Sequence, residues 1–335
     1  MKMPETLVFE MQNLYIPEDE VYVSEAFPIR IEPVEGVEQF ENNRREEDSK
    51  YRTGYWLTAK CFIEADEERA KELAEWVTYV YSFYQNRDVR WETYYPEGSS
   101  EEACNLDTYR IPVDNTGLRF VHAVHETGPV FSSNIGELVD VALTTIDQAD
   151  EDLATDLRTN ISLFLHSEAT KLMTPKFLLL WLVLEANADR NYHRYMKSQR
   201  EYLFDEDEKE RVREYVLDEF EDEFTKGQLN RLEYNLGKDF IFEPSTLVKI
   251  KKYAEQIDLG FDSDEVEVIV EEARDIRNQI VHSMDESGLR ENTDTLVDLR
   301  KMVMFLIMRE LGVKPEWQDR LATPNIFGPD SEHEW

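Results

Sequence analysis

The sequence predicts a mixed α+β N-terminal domain followed by an all-α helical bundle. Two observations lead to this division. In the first 130 residues or so, segments with the two-residue alternation of a half-buried strand lie beside a helical pattern, whereas from about residue 133 onward only helical periodicity is found. We therefore expect an α+β domain at 1–147, a helical domain at 148–314 and a frayed C-terminal tail at 315–335.

The α+β part is predicted from three strand-like segments and one helix. Apolar and polar residues alternate over residues 57–64, and residues 89–95 and 118–127 are also typical of strands. Between the first two, residues 66–85 place small and large apolar residues at helical spacing. Strand, helix, strand, loop and strand in this order indicate an α+β arrangement.

The helical part is predicted from apolar stripes and helix-end signals. Thr174 and Pro175 have the types of an N-cap and a first-turn residue, ahead of the apolar run 177–184. Gly312 is expected to close the last helix. Further amphipathic runs are found at residues 210–224, 244–257, 266–282 and 295–312.

The net charge of −35, from 72 acidic and 37 basic residues, is extreme for a folded protein. Disordered acidic chains lack aromatics, but this chain has 17 Phe and 16 Tyr. We interpret it as a folded, halophilic protein with an acidified surface, because about 1 M salt reduces the screening length to about 3 Å. The charge excludes a large basic surface for non-specific binding of nucleic acid, but it is compatible with a local basic pocket.

Several classes of protein are disfavoured by what the sequence lacks. Cys61 and Cys104 are the only cysteines, so a disulfide framework or a zinc ribbon is excluded. The N-terminus has no apolar signal core and the longest apolar run, 177–184, is too short to cross a bilayer, so we expect a cytoplasmic protein with no membrane partner. The absence of a phosphate-binding glycine motif argues against an ATPase or kinase.

The hexapeptide RNQIVH, residues 277–282, carries the candidate chemistry. Ile269, Ala273, Ile276 and Ile280 form the core stripe of this helix, and Arg277, Asn278 and His282 are predicted to lie off it. An arginine fork binds phosphate and a histidine exchanges protons near neutral pH. The alternative is a histidine that caps its helix beside a solvated arginine. No carboxylate or cysteine set accompanies these residues, so we expect neither a metal nor another cofactor.

The other histidines are predicted to be structural. His122 and His125 would face opposite sides of a strand, which disfavours a shared metal. His166 and His193 lie on predicted helices, and no ligand partners stand near them in the sequence.

The RNQIVH segment resembles the signature of the HEPN superfamily, in particular its ApeA-like branch. That signature is an Arg, often followed by a polar residue, and a His four to six residues after the Arg near a helix C-terminus. Arg277, Asn278 and His282 match it in type and spacing. The helices KFLLLWLVLEA and RKMVMFLIMRELG, before and after the motif, are similar to those of the family. The resemblance covers about residues 150–312, and the acidic segment 202–224 departs from it as an apparent insertion.

The resemblance implies a HEPN-like helical domain that acts as a metal-independent endoribonuclease, commonly in toxin or anti-phage defence systems. It implies that His282 is a general base or acid, that Arg277 stabilises charge on the phosphate of an RNA substrate, and that Asn278 orients either the histidine or the substrate. It also implies a homodimer through the HEPN helices, with an antitoxin-like protein as a possible partner. Other members are inactive, so the alternative is a non-catalytic module for dimerisation, protein binding or nucleotide binding.

Overall fold

A five-stranded antiparallel sheet forms the N-terminal part of the structure, a computed structural model that describes residues 5–14, 16–17, 19–35, 57–85, 89–99, 132–170, 172–197 and 204–314. The strands are β1 Glu5–Gln12, β2 Tyr22–Val23, β3 Ile29–Pro33, β4 Leu57–Ala65 and β5 Arg90–Pro96, in the spatial order β2-β3-β4-β1-β5. The predicted strands at 57–64 and 89–95 are confirmed as β4 and β5. Strands β1 and β3 were not anticipated, and the strand predicted at 118–127, with His122 and His125, lies outside the described residues.

The helices of the described residues are α1 Glu67–Gln85, α2 Ser132–Gln148, α3 Glu151–Ala169, α4 Met173–Asn191, α5 Glu206–Phe220, α6 Lys226–Leu236, α7 Thr246–Gln256, α8 Ser263–Ser283, α9 Ser287–Glu291 and α10 Thr293–Glu310. A π-helical segment, Tyr192–Met196, continues α4, and a short 3-10 helix, Asp239–Phe242, follows α6. The prediction of an α+β part followed by a helical part is confirmed.

The chain divides into two compact units whose boundaries fall inside α4 and α8. Met1–Val183 and Ile276–Trp335 make up the first, called here the sheet unit, and Leu184–Asp275 make up the second, called here the helical unit. The domain boundary predicted between residues 147 and 148 falls at the end of α2 and stays a prediction.

In the sheet unit, helix α1 packs against strands β1, β4 and β5 on one side and against α2 and α3 on the other. Asp66 begins this helix by accepting a hydrogen bond from the Arg69 backbone N–H (3.1 Å), and two acidic residues in the first turn complement the helix dipole. The side chains Ala70, Leu73, Val77, Val80 and Tyr84, which the helical period placed on one face, are all buried. Below them Ala59, Cys61 and Ile63 of β4 are fully buried, and burial raises the pKa of the Cys61 thiol.

Helix α10 packs against α3 and α9, and its last residues are followed by Gly312 at φ +80°, the predicted closing glycine. The Arg300 guanidinium is buried and donates two hydrogen bonds to Glu168 of α3, at 2.9 and 2.7 Å. Lys176 lies 3.2 Å from the same carboxylate. A charged pair therefore joins α10 to α3 inside an apolar interface.

In the helical unit, helix α5 occupies most of the acidic segment 202–224, which the sequence analysis treated as an insertion. A capping box of Asp205 and Glu208 begins it, with hydrogen bonds of 2.8 and 3.0 Å between each side chain and the other residue's backbone N–H. None of its side chains is buried. The amphipathic pattern predicted at 210–224 therefore forms a helix, but its apolar face remains uncovered in this structure.

Two further expectations concern α4. The helix begins at Met173, so Thr174 lies inside the first turn and the N-cap prediction was wrong by one or two positions. None of the described helices combines the length and the apolar character that crossing a membrane requires.

Candidate functional site

The C-terminal half of α8 presents the RNQIVH residues. Asp262 and Glu265 form a capping box at the start of this helix, with hydrogen bonds of 2.8 and 3.0 Å. The predicted core stripe is confirmed, because Ile269, Ala273, Ile276 and Ile280 are all buried. The stripe fixes the rotation of the helix, which leaves Arg277 and Asn278 half-buried between Ile276 and Ile280 and His282 exposed beyond them.

The structure brings Arg277 and Asn278 together and leaves His282 open. Both Arg277 and Asn278 are half-buried, and the guanidinium Nη1 donates a 3.1 Å hydrogen bond to the amide Oδ1 of Asn278. His282 lies four residues beyond Asn278 on the same face, with an exposed imidazole that has no hydrogen-bonding partner among the described residues. The guanidinium is thus held by a neutral group and the imidazole is accessible.

The arginines near Arg277 in the sequence differ from it in their partners. Arg274 donates to the Asp275 carboxylate at 3.2 and 3.3 Å, and Arg290 of α9 lies 3.3 Å from the Glu286 carboxylate. Arg277 has no carboxylate within ion-pair distance among the described residues. Its positive charge is therefore not neutralised, and the remaining donors of its fork are available to an anion.

The turn after His282 has an unusual backbone. Met284 adopts φ +52°, in the left-handed region that costs a non-glycine residue about 1–2 kcal/mol. Its N–H donates to the Ile280 carbonyl at 3.0 Å, and the Asp285 N–H donates to the Gln279 carbonyl at 3.3 Å. The Met284 side chain is 91% exposed. The bond from Met284 to Ile280 is that of the left-handed motif that ends many helices, at a position where glycine is more usual.

Helix α9 begins immediately after this turn. The Asp285 carboxylate accepts a 2.9 Å hydrogen bond from the Ser287 backbone N–H, which lowers the pKa of Asp285. Gly288 faces Gln279 so closely that a Cβ at this position would collide with the Gln279 amide oxygen. Leu289 is buried. The chain is therefore fixed on both sides of the turn.

This arrangement has the components of metal-independent phosphate chemistry. A guanidinium that is hydrogen-bonded only to an amide can donate to a phosphate oxygen, and an exposed imidazole can accept or donate a proton. The alternative is a histidine that interacts with the dipole at the C-terminus of its own helix. His282 lies in the last turn, and it makes no hydrogen bond to a helix carbonyl within the described residues.

A second polar group lies in the helical unit and was not predicted. Asp189 and His193, at the end of α4 and in the π-helical segment, meet Glu243, and their ligand atoms all lie within 4.8 Å of one another. It is the only group of metal-ligand side chains of this kind in the described part of the chain. His193 was predicted to be structural, and Glu243 is far from it along the chain; the four-residue spacing of Asp189 and His193 was the one signal available.

Comparison with known proteins identifies one family. Residues 187–316 match the family model described as Apea-like HEPN, which covers less than half of the chain and includes all three RNQIVH site residues. The match begins just after the KFLLLWLVLEA stretch. No curated protein matches the chain, and no solved structure matches it.

Proposed function

Because residues 187–316 match the Apea-like HEPN family model, we propose that the protein is a metal-independent endoribonuclease. In this proposal the His282 imidazole moves the proton of the attacking 2′-hydroxyl or of the leaving 5′-oxygen. Arg277 binds the scissile phosphate and stabilises the charge that builds on it in the transition state. Asn278 holds the guanidinium through its amide oxygen. The products are RNA fragments that end in a 2′,3′-cyclic phosphate.

The observation that carries this proposal is the pairing of Arg277. A surface arginine in a protein of net charge −35 has many carboxylates to choose from, and Arg274 and Arg290 both take one. Arg277 is instead hydrogen-bonded to an amide, next to an exposed histidine. A phosphate-binding arginine needs this kind of environment, because a carboxylate partner would compete with the substrate.

Cleavage of a labelled RNA pool by purified protein, in molar KCl with EDTA, tests the proposal. We expect His282→Ala to reduce the cleavage rate by about 10²- to 10⁴-fold, the usual contribution of general acid–base catalysis. Arg277→Ala should lose a comparable factor through weaker stabilisation of the transition state. Arg277→Lys should restore only part of it, because an ammonium lacks the planar fork.

The structure offers a matched control for each residue. Arg290→Ala removes a nearby guanidinium that is paired with Glu286, and His166→Ala removes an exposed imidazole that is hydrogen-bonded to the Ser162 carbonyl at 2.7 Å. Both controls should cleave RNA at the wild-type rate. Undiminished cleavage by His282→Ala, or equal losses in the controls, would contradict the assignment.

The proposal includes a homodimer. Attack by a 2′-hydroxyl needs one group that removes a proton and another that protonates the leaving oxygen, whereas one chain offers a single histidine at this site. A two-fold axis that brings two RNQIVH segments together supplies the second. Because each chain carries −35 charges, the association should become tighter as salt rises. Light scattering in dilute and molar KCl measures this, and a monomer at every salt concentration would exclude the two-histidine site.

A toxin or defence role is proposed on the basis of the family resemblance. We expect expression in a bacterial host to stop growth, and His282→Ala or Arg277→Ala to relieve it while the protein level stays unchanged. The relevant readout is colony formation together with immunodetection of each variant. A wild-type protein that is harmless at high expression would contradict a constitutive toxin.

A non-catalytic binding module is the second candidate, and the uncovered face of α5 favours it. Phe204, Val212 and Tyr215, with Glu208 and Arg211, line an open cavity of about 410 Å³ in the helical unit. Exposed apolar patches of this kind often bind proteins. If RNA stays intact and a polypeptide co-purifies with the wild type but not with Tyr215→Ser, the second candidate is correct.

A further inference from the structure

The group of Asp189, His193 and Glu243 has the geometry of metal ligands. Asp189 and His193 are four residues apart and so lie on one side of the helix. The His193 Nε2 atom is 3.6 Å from the Asp189 Oδ2 atom. This distance is too long for a good hydrogen bond, but it is close to the roughly 3.4 Å that separates two ligands of a tetrahedral Zn²⁺ with bonds of about 2.0–2.1 Å.

The Glu243 carboxylate completes the group from the segment before α7. Its ligand atom lies within 4.8 Å of those of Asp189 and His193. The Asp189 and His193 side chains are 51% and 44% exposed, so small rotations can shorten the widest distance. The same exposure leaves space for water as a further ligand.

Lys249 of α7 already contacts both carboxylates. Its ammonium donates to Asp189 Oδ1 at 2.6 Å and to Glu243 Oε2 at 2.7 Å, and its side chain is only 9% exposed. Burial lowers the pKa of this group, but the hydrogen bonds to the two carboxylates outweigh burial and leave the pKa raised. Lys249 uses one oxygen of each carboxylate, and the other Asp189 oxygen faces His193. Two carboxylates and one ammonium carry a net charge of −1.

We propose that Asp189, His193 and Glu243 bind a transition-metal dication, with Zn²⁺ as the best match, and that Lys249 holds the carboxylates in place. One imidazole and two carboxylates suit Zn²⁺, whereas Mg²⁺ and Ca²⁺ prefer oxygen ligands alone. Outer partners such as Lys249 commonly orient metal-ligating carboxylates. The metal links the end of α4 to the segment that precedes α7, so it stabilises the helical unit. This site is separate in its residues from the proposed RNA site and goes beyond that function.

Zinc titration of metal-stripped full-length protein in molar KCl tests the proposal. Calorimetry should show one Zn²⁺ per chain, and zinc should raise the melting temperature because it binds only the folded protein. Magnesium, added at the same concentration, should do neither. The molar KCl suppresses unspecific binding of cations to the acidic surface.

Four variants define the outcome. His193→Gln and Glu243→Gln should each weaken zinc binding by at least about tenfold, whereas His166→Gln should bind zinc like the wild type. Lys249→Met leaves two carboxylates without their cation, so it should melt lower without metal and gain more from zinc than the wild type does. The proposal is overturned if the wild type binds no zinc, or if His193→Gln binds it as tightly as His166→Gln. These readouts do not involve RNA, so they succeed or fail independently of the nuclease proposal.

Discussion

Helices α5 and α10 both lie in the stretch that matches the family model, yet different kinds of contact stabilise them. Most of α10 is buried, and the buried residues are Thr295, Leu299, Arg300, Met302, Val303, Met304, Phe305, Leu306, Ile307 and Met308. In α5 no side chain is buried. Packing against α3 and α9 therefore stabilises α10, whereas α5 depends on contacts within its own sequence neighbourhood.

The local contacts of α5 are numerous but individually weak. They comprise the Asp205–Glu208 capping box, the Lys209–Glu206 pair at 2.8 Å and a 2.8 Å hydrogen bond from Arg213 to the Leu236 carbonyl of α6. Exposed ion pairs contribute at most about 1 kcal/mol each, and less in salt. We therefore expect α10 to unfold together with the rest of the sheet unit and α5, in the helical unit, to open alone.

The largest expected effect comes from a cavity in α10. Leu306→Ala removes a fully buried side chain and should lower the free energy of unfolding by about 4 kcal/mol, from lost burial and an unfilled cavity. Val212→Ala, the matched change on the exposed face of α5, should change it by less than about 0.5 kcal/mol. Denaturant titration in molar KCl gives both values. Similar losses of stability in the two helices would contradict the claim that burial stabilises α10 but not α5.

A smaller loss of stability is expected when the buried charge pair between α10 and α3 is broken. Arg300→Met removes the two hydrogen bonds that Arg300 donates to the Glu168 carboxylate and should cost about 3 kcal/mol. Changing both partners, as Arg300→Met with Glu168→Met, should recover much of this loss, because the buried pair is removed as a whole and Lys176, whose side chain is 19% exposed, loses only its contact with Glu168. The double variant is decisive: if it is as unstable as the single variant, the interface depends on shape and not on charge pairing.

The cap of α5 should have a smaller and local effect. Asp205→Ala removes the acceptor for the Glu208 N–H and should destabilise the helix by about 1 kcal/mol. Hydrogen exchange should accelerate across α5, while α10 should exchange at its wild-type rate. Accelerated exchange in α10 as well would show that the two helices unfold together.

The smallest effect is expected at the exposed face of α5. Tyr215 is 70% exposed, so Tyr215→Ser should change the free energy of unfolding by less than about 0.5 kcal/mol. Chemical denaturation followed by circular dichroism measures this change. A loss of several kcal/mol would mean that this face packs against something in the native protein, such as a second copy.

The contrast also explains which parts of the fold were predictable. The periodicity of α1 and α8 identified the faces that the structure buries, because an apolar stripe is a local property of the sequence. The periodicity at 210–224 looked similar but its face is uncovered, because burial also needs a partner from elsewhere in the chain. Strand β1 was missed, although Leu7, Phe9 and Met11 alternate, because a short strand is defined by its pairing with β4 and β5.

The candidate sites, too, were predictable only where their residues are close together in the sequence. Arg277, Asn278 and His282 lie within six residues, so helical spacing alone predicted that they share the end of one helix. The Arg277–Asn278 hydrogen bond joins neighbours in the chain and the left-handed Met284 ends the helix, so both features are local, but helical spacing alone specifies neither of them. The Asp189, His193 and Glu243 group joins residues that are distant in sequence, so only a folded structure brings them together.

The exposed Met284 lies two residues after His282, and its oxidation can be used as a probe of that region. The other described methionines are buried or half-buried, and Met11, Met196, Met302, Met304 and Met308 are buried in the core. Among the described methionines, dilute peroxide should therefore convert Met284 to its sulfoxide first. Anything that covers this turn, whether RNA or a second copy of the chain, should slow that oxidation, and peptide mass spectrometry can follow it without any assay of cleavage.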